Sequence, residues 1–235
     1  MHKRCWMPAL ALATAICAVY AQEPEVSSRP RMSFEVDAVS KYLWRGFLTN
    51  DSPSMQPSVT VGYRGLSVNL WSNISSRAQR NQAWTESDVT VEYGRQLGKW
   101  AVTGGFIDYQ FVDTPAVAGN RSSEIYVGCA YAGPLTPSFR VYRDIELGDG
   151  YYYSASIAKS IRLPHGIRAS SLLGVGLNQH QYQSQTTISN VESTTSFDLY
   201  RNESISIVPF VTVMVGHRSL FGTHAAFGLR ATIER

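Results

Sequence analysis

Lys41 and Arg45 stand four residues apart, Asp88 and Glu92 repeat that spacing with the opposite sign, and Arg140 lies in a third segment of similar pattern. On an extended backbone side chains alternate between two faces, so residues four apart project to one side. Charges arrayed in this way do one of two things. They line a water-filled path as a constriction and set a local field for small solutes or ions, Lys41 and Arg45 then acting as a basic step that attracts anions. Alternatively they neutralise one another and close the space, each base pairing with Glu35, Asp37 or an acid on a neighbouring strand. The same alternation assigns Asn69, Trp71, Asn73, Asp108, Glu124, Tyr142, Asp144, Arg168, Asp198 and Arg230 to the shared inner face.

Hydrolytic chemistry is the rival reading, and it needs a nucleophile with a base in hydrogen-bond reach. His180 and Ser184 form the one same-face pair near a loop, spaced too far along an extended strand for direct contact. No Gly-x-Ser-x-Gly, His-x-x-x-His or Cys-x-x-Cys occurs, so no enzyme, metal centre or cofactor is expected. Asp149 in a Gly-Asp-Gly run reads as a turn, and Cys129 as a small apolar surface residue.

The elements that must carry such a wall are strands. From Ser33 onward the hydrophobic period is two, as in Pro57, Val59, Val61 and Tyr63 against Ser58, Thr60, Gly62 and Arg64. Twelve such segments are counted, the first running unbroken through residue 45. The polar stretch from Gln181 to Glu203 leaves eleven if it is one loop, but alternation at 191–200 and the even parity of single-chain barrels favour twelve. Tight links such as Arg64-Gly65 alternate with longer polar ones at 48–55, 76–85, 113–121 and 181–189. That asymmetry suits an outer-membrane barrel. Tyr42, Trp44, Tyr63, Tyr93 and Tyr131 fall near strand ends, as do Tyr109 and Tyr151, where rings anchor at the lipid headgroups. A soluble sandwich alternates too, but gives its aromatics no common height. The expected fold is all-β: a single transmembrane antiparallel β-barrel of about twelve strands.

The run Ser40-Lys41-Tyr42-Leu43-Trp44-Arg45-Gly46-Phe47, with Asp51, Gln56 to Val59 and Gly62-Tyr63, resembles the TorF-type porins. Gly148 to Tyr152 and Ser204 to Val211 are similar as well. The resemblance implies a Gram-negative outer-membrane barrel with a transport role, and brings no catalytic residues. One departure stands out: such barrels usually finish on an aromatic, whereas this chain finishes Ile233-Glu234-Arg235.

His2, Lys3 and Arg4 precede a short apolar run from Met7 to Cys17, and Val19-Tyr20-Ala21 supplies a cleavage site. Residues 1–21 therefore read as a signal peptide, 22–32 as a periplasmic tether and 33–235 as the barrel. A lipoprotein reading through Cys17 is weaker because Ile16 sits where a small residue is wanted. Cleavage removes Lys3, Arg4 and no acid, so the net charge of +3 becomes +1, and Cys129 is the one cysteine left. Near-neutral charge without basic runs argues against a nucleic-acid partner. Expected partners are outer-membrane lipid, a small solute or ion, and the outer-membrane assembly machinery; no interface strand marks an oligomer. A passive channel leads. A charge-plugged barrel working through its loops at 76–85 and 181–189 comes second, and a hydrolase third.

Overall fold

The computed structural model describes residues 29–79, 82–112, 120–182, 185–216 and 222–235. The strands are β1 (Arg31–Val39), β2 (Tyr42–Trp44), β3 (Phe47–Asn50), β4 (Ser54–Tyr63), β5 (Leu66–Gln79), β6 (Gln82–Leu97), β7 (Trp100–Phe111) and β8 (Arg121–Tyr131). There follow β9 (Ser138–Asp144), β10 (Tyr151–Arg162), β11 (Arg168–Gln179), β12 (Thr186–Asp198), β13 (Tyr200–Arg201), β14 (Ile205–Gly216) and β15 (Thr223–Glu234). Twelve of them, β1, β4 to β12, β14 and β15, pair in order as an antiparallel sheet that closes on itself. The closing seam joins β1 to β15 from Ser33↔Glu234 to Val39↔Gly228. Arg235 continues the ladder, exchanging backbone hydrogen bonds with Met32, so a charged final residue still pairs.

Closure leaves no sheet edge, which is what allows strands to cross a bilayer. The outer face carries the apolar set of each strand: Phe34, Val61, Leu70, Val127, Leu173, Val213 and Leu229 are all exposed. The inner face is polar, with Gln56, Ser58, Thr60, Asn69, Thr90, Thr194, Ser196, Thr212 and Thr232 buried. One end holds the start of β1, the end of β15 and the tight turns, including Arg64-Gly65 and the short 3₁₀ turn Pro164–Gly166. The far end carries the longer connections.

Four sequence expectations change. The segment read as one strand through residue 45 breaks after Val39, where Ser40 makes a last rung with Phe227 through its backbone N–H and its hydroxyl. The chain then turns into the barrel, and 42–50, part of it expected as a surface link, forms the separate hairpin β2–β3. The supposed loop at 76–85 is largely strand, because β5 and β6 run on to Gln79 and Gln82 through register shifts at Asn73/Ile74 and Ile74/Gln79. Asp108 lies on the outer wall, paired with exposed Arg121, since β7 turns Ile107 and Tyr109 inward instead. Finally β1 starts at Arg31, inside the expected tether; the expected signal peptide lies outside the described residues.

Candidate functional site

The inward hairpin exists because two consecutive residues adopt positive φ. Arg45 has φ 48° and Gly46 φ 96°, the requirement of a two-residue type I′ connection. At Gly46 a Cβ would sit 2.6 Å from the carbonyl oxygen of Ser189 on β12, so the tip rests directly on that strand. Along its length the hairpin reaches most of the barrel. Tyr42 packs at a tilt against Trp71 of β5 at 5.6 Å, and Trp44 meets Tyr109 of β7 edge-on at 6.0 Å. Leu43 packs with Met214 of β14 and Ala226 of β15, and Trp44 also meets Tyr182 at 5.7 Å. Tyr42, Trp44, Phe47, Trp71, Ile107, Tyr109, Phe111, Tyr126, Tyr142 and Tyr152 make one buried cluster inside the barrel.

Arg45 is the fixed point of this arrangement. Its guanidinium donates to both oxygens of Glu124, at 2.6 and 2.9 Å, and to Gln181 Oε1 at 3.1 Å. Glu124 is fully buried and also accepts from the Tyr109 hydroxyl at 2.8 Å and from the Gln181 side-chain amide. The guanidinium carbon lies 4.2, 4.4 and 4.8 Å from the ring centroids of Tyr142, Tyr152 and Trp44. A forked pair with aromatic faces on three sides is the geometry in which arginine binds best and lysine cannot substitute. Next to it, Asp144 accepts from Ser122, from the Tyr182 hydroxyl at 2.6 Å and from the backbone of Glu146 and Gly148. That carboxylate ties two far-end connections to the wall.

The expected constriction residues separate into three groups. Arg45 and Asp88 lie close enough to interact electrostatically, but Arg45 pairs with Glu124 and not with Glu35 or Asp37. Glu92 and Arg140 meet at 3.8 Å nearer the terminal end, where the Tyr126 hydroxyl also donates to Glu92 at 2.6 Å. Lys41 does not share the inner face: it sits at the far-end rim, 2.5 Å from exposed Asp51, and that contact holds the Asp51 carboxyl below its ordinary range. The four-residue spacing of Lys41 and Arg45 fails because the chain bends between them and turns at Arg45. Arg230 takes the pairing expected of them, forked onto Asp37 at 2.8 and 2.6 Å and 3.3 Å from Glu35.

Among the expected interface aromatics, Tyr42 and Trp44 are corrections. They are 3% and 8% exposed inside the barrel, carried there by the hairpin. Tyr109, expected with them, is also buried inward. Tyr63 and Tyr93 are exposed on the outer surface and Tyr131 is half-buried. Sequence reasoning missed Glu86, Gln181 and Glu192. Glu86 shares parity with Asp88 and needed only an earlier strand start; Gln181 sits in a polar connection with nothing to mark it. His180 carries a positive φ beside an isolated bridge to Tyr151, while Ser184 lies outside the described residues.

Below the hairpin the inner face changes character. Thr103, Ser138, Ser154, Ser156 and Ser160 are small, polar and only half-buried. The interior is therefore filled at the far end and looser along the terminal half of β7, β9 and β10, while Thr60, Ser196 and Thr232 at that same end stay buried.

No family model and no curated protein matches the sequence. Solved structures match in fold. The NanC porin aligns with a TM-score of 0.58 at 11% identity, covering 86% of this chain and 98% of that one. An outer membrane channel from Pseudomonas putida aligns at 0.57 and 8% identity, covering 93% and 98%. The KdgM porin in complex with oligogalacturonate aligns at 0.53 and 8% identity, covering 87% and 97%. This chain thus has the fold of porin-like outer-membrane barrels over nearly its whole described length.

Proposed function

We propose that the protein is an outer-membrane channel for passive passage of small solutes or ions, whose bore is set by an inward-folded first loop. The observation that carries this is the β2–β3 hairpin crossing a polar, closed barrel and pinned there by Arg45. An apolar outer belt with a polar interior suits a lipid environment. The start of β1, the end of β15 and the tight turns share one end, which faces the periplasm in such barrels, so the hairpin enters from the outside. Twelve strands lie between barrels filled by side chains and those with a wide channel, and the hairpin joins a buried aromatic cluster in the far-end lumen. Size limitation then comes from the hairpin, and the charged step from Glu124–Arg45 above and Glu92–Arg140 below.

Planar-bilayer recording of the full-length protein purified from outer membranes tests the reading. Discrete conductance steps are expected, and they should enlarge when residues 42–50 are replaced by a Gly/Ser link between Lys41 and Asp51. A folded, inserted protein silent in both forms overturns it. A protein silent only with its hairpin intact is a plugged barrel, the reading that the Arg45 anchorage favours second.

A further inference from the structure

The geometry points to cations as the solutes this lumen takes, with Glu86, Asp88 and Asn69 on the β5–β6 wall as the site that holds them; this rests on the channel reading above. Glu86 and Asp88 are two apart on β6 and face inward, opposite Asn73 and Trp71 of β5. Asn69 stands opposite Thr90, one inward step further toward the terminal end. All three are nine-tenths or more buried, at 2%, 6% and 4% exposure. Glu86 Oε2, Asp88 Oδ1 and Asn69 Oδ1 each lack a hydrogen-bond partner. The vacant positions on this wall are therefore all acceptors. Buried acceptors without donors are costly, and a ligand carrying positive charge and N–H groups satisfies them.

The bases of the lumen form their salt bridges elsewhere. Among the described residues Arg45 is committed to Glu124, Arg140 lies against Glu92, and Arg230 is forked onto Asp37. Glu86, Asp88 and Glu192 form no salt bridge with a described base. The protein's small net charge thus conceals an interior in which Glu86, Asp88 and Glu192 are acidic groups without a described salt-bridge partner. A negative lumen raises the local concentration of cations and repels anions, the opposite of what a polyanion such as oligogalacturonate needs.

The hairpin shows the same chemistry from within the chain. Its Arg45 is a guanidinium held by a buried carboxylate and aromatic rings, and it is bound on the lumen wall. Tyr42, on the same hairpin, covers the β5–β6 site, its ring on Trp71 and its hydroxyl donating to Glu86. A small ammonium or guanidinium replaces that hydroxyl as donor and gains the Trp71 face through a cation–π contact.

The test is the reversal potential of the full-length protein in a potassium chloride gradient, with E86Q/D88N beside it. Cation preference is expected, lost or strongly reduced in the double variant while discrete conductance persists. Anion preference, no preference, or a preference unchanged in E86Q/D88N overturns the inference and leaves the channel reading standing. If the protein is silent the channel reading falls, and the site is read in detergent by tryptophan fluorescence during titration with methylguanidinium chloride. A saturable change that galacturonate does not produce, and that E86Q/D88N abolishes, then sustains the cation site; no such change overturns it. Circular dichroism checks folding, and E86Q alone replaces the double variant if that one fails to fold.

Discussion

Arg45 illustrates how much a single side chain decides here. It is buried among three aromatic rings and would be costly to place there without a counter-charge. Glu124 supplies that charge and is itself fully buried, so each residue makes the other tolerable. Removing one partner of such a pair strands the other. R45A is expected to destabilise the hairpin by about 3 kcal/mol, the low end for a broken buried pair, because Tyr109 and Gln181 still donate to Glu124. R45A/E124A should cost less than the sum of the two single changes. Urea unfolding from lipid vesicles, followed by tryptophan fluorescence, measures both. Fully additive costs would mean that the pair does not hold the hairpin.

At the level of elements the hairpin is a graft on a regular scaffold. Its two-residue turn works only because Gly46 has no Cβ: any other residue meets the Ser189 carbonyl and the steric cost of positive φ together. G46A should unseat the tip without altering the barrel strands. The expected outcome is larger single-channel conductance with an unchanged circular dichroism spectrum; an unaltered conductance would show that the tip does not limit the bore. Alternation was enough to find the twelve barrel strands, because every one separates lipid from lumen and so must carry a period of two. It was misleading at Tyr42 and Trp44. Alternation continues through them, but a hairpin inside a barrel has no lipid face, and aromatic residues suit packed interior and headgroup equally. The Arg-Gly pair between Trp44 and Phe47 was the local sign of a turn, weaker than Asn-Gly or Asp-Gly and hidden by its match to the strand pattern. Partners such as Glu124 for Arg45, 79 residues apart, follow from barrel closure and from the hairpin's path. Neither is written in local sequence.

Over the whole molecule, the seam and the hairpin divide the work of the lumen charges. Arg230 uses Asp37 and Glu35 to join first strand to last, which explains why those acids are unavailable to Arg45. The far-end connections are bound through Asp144, and the terminal half keeps the small hydroxyls of β7, β9 and β10 half-buried. The barrel thus has a fixed wall, a loosely lined lower chamber and one element held by a few strong contacts instead of by a sheet ladder. The Arg45 fork also has a consequence in time. Its two parallel hydrogen bonds converge on one carboxylate, so they make and break as a unit, on the microsecond-to-second scale of lid opening and local unfolding. Current through one barrel should therefore switch between two levels, with no graded intermediate. R45K keeps the charge but gives up the fork, so it should shorten the dwell in the lower level while leaving both levels where they were.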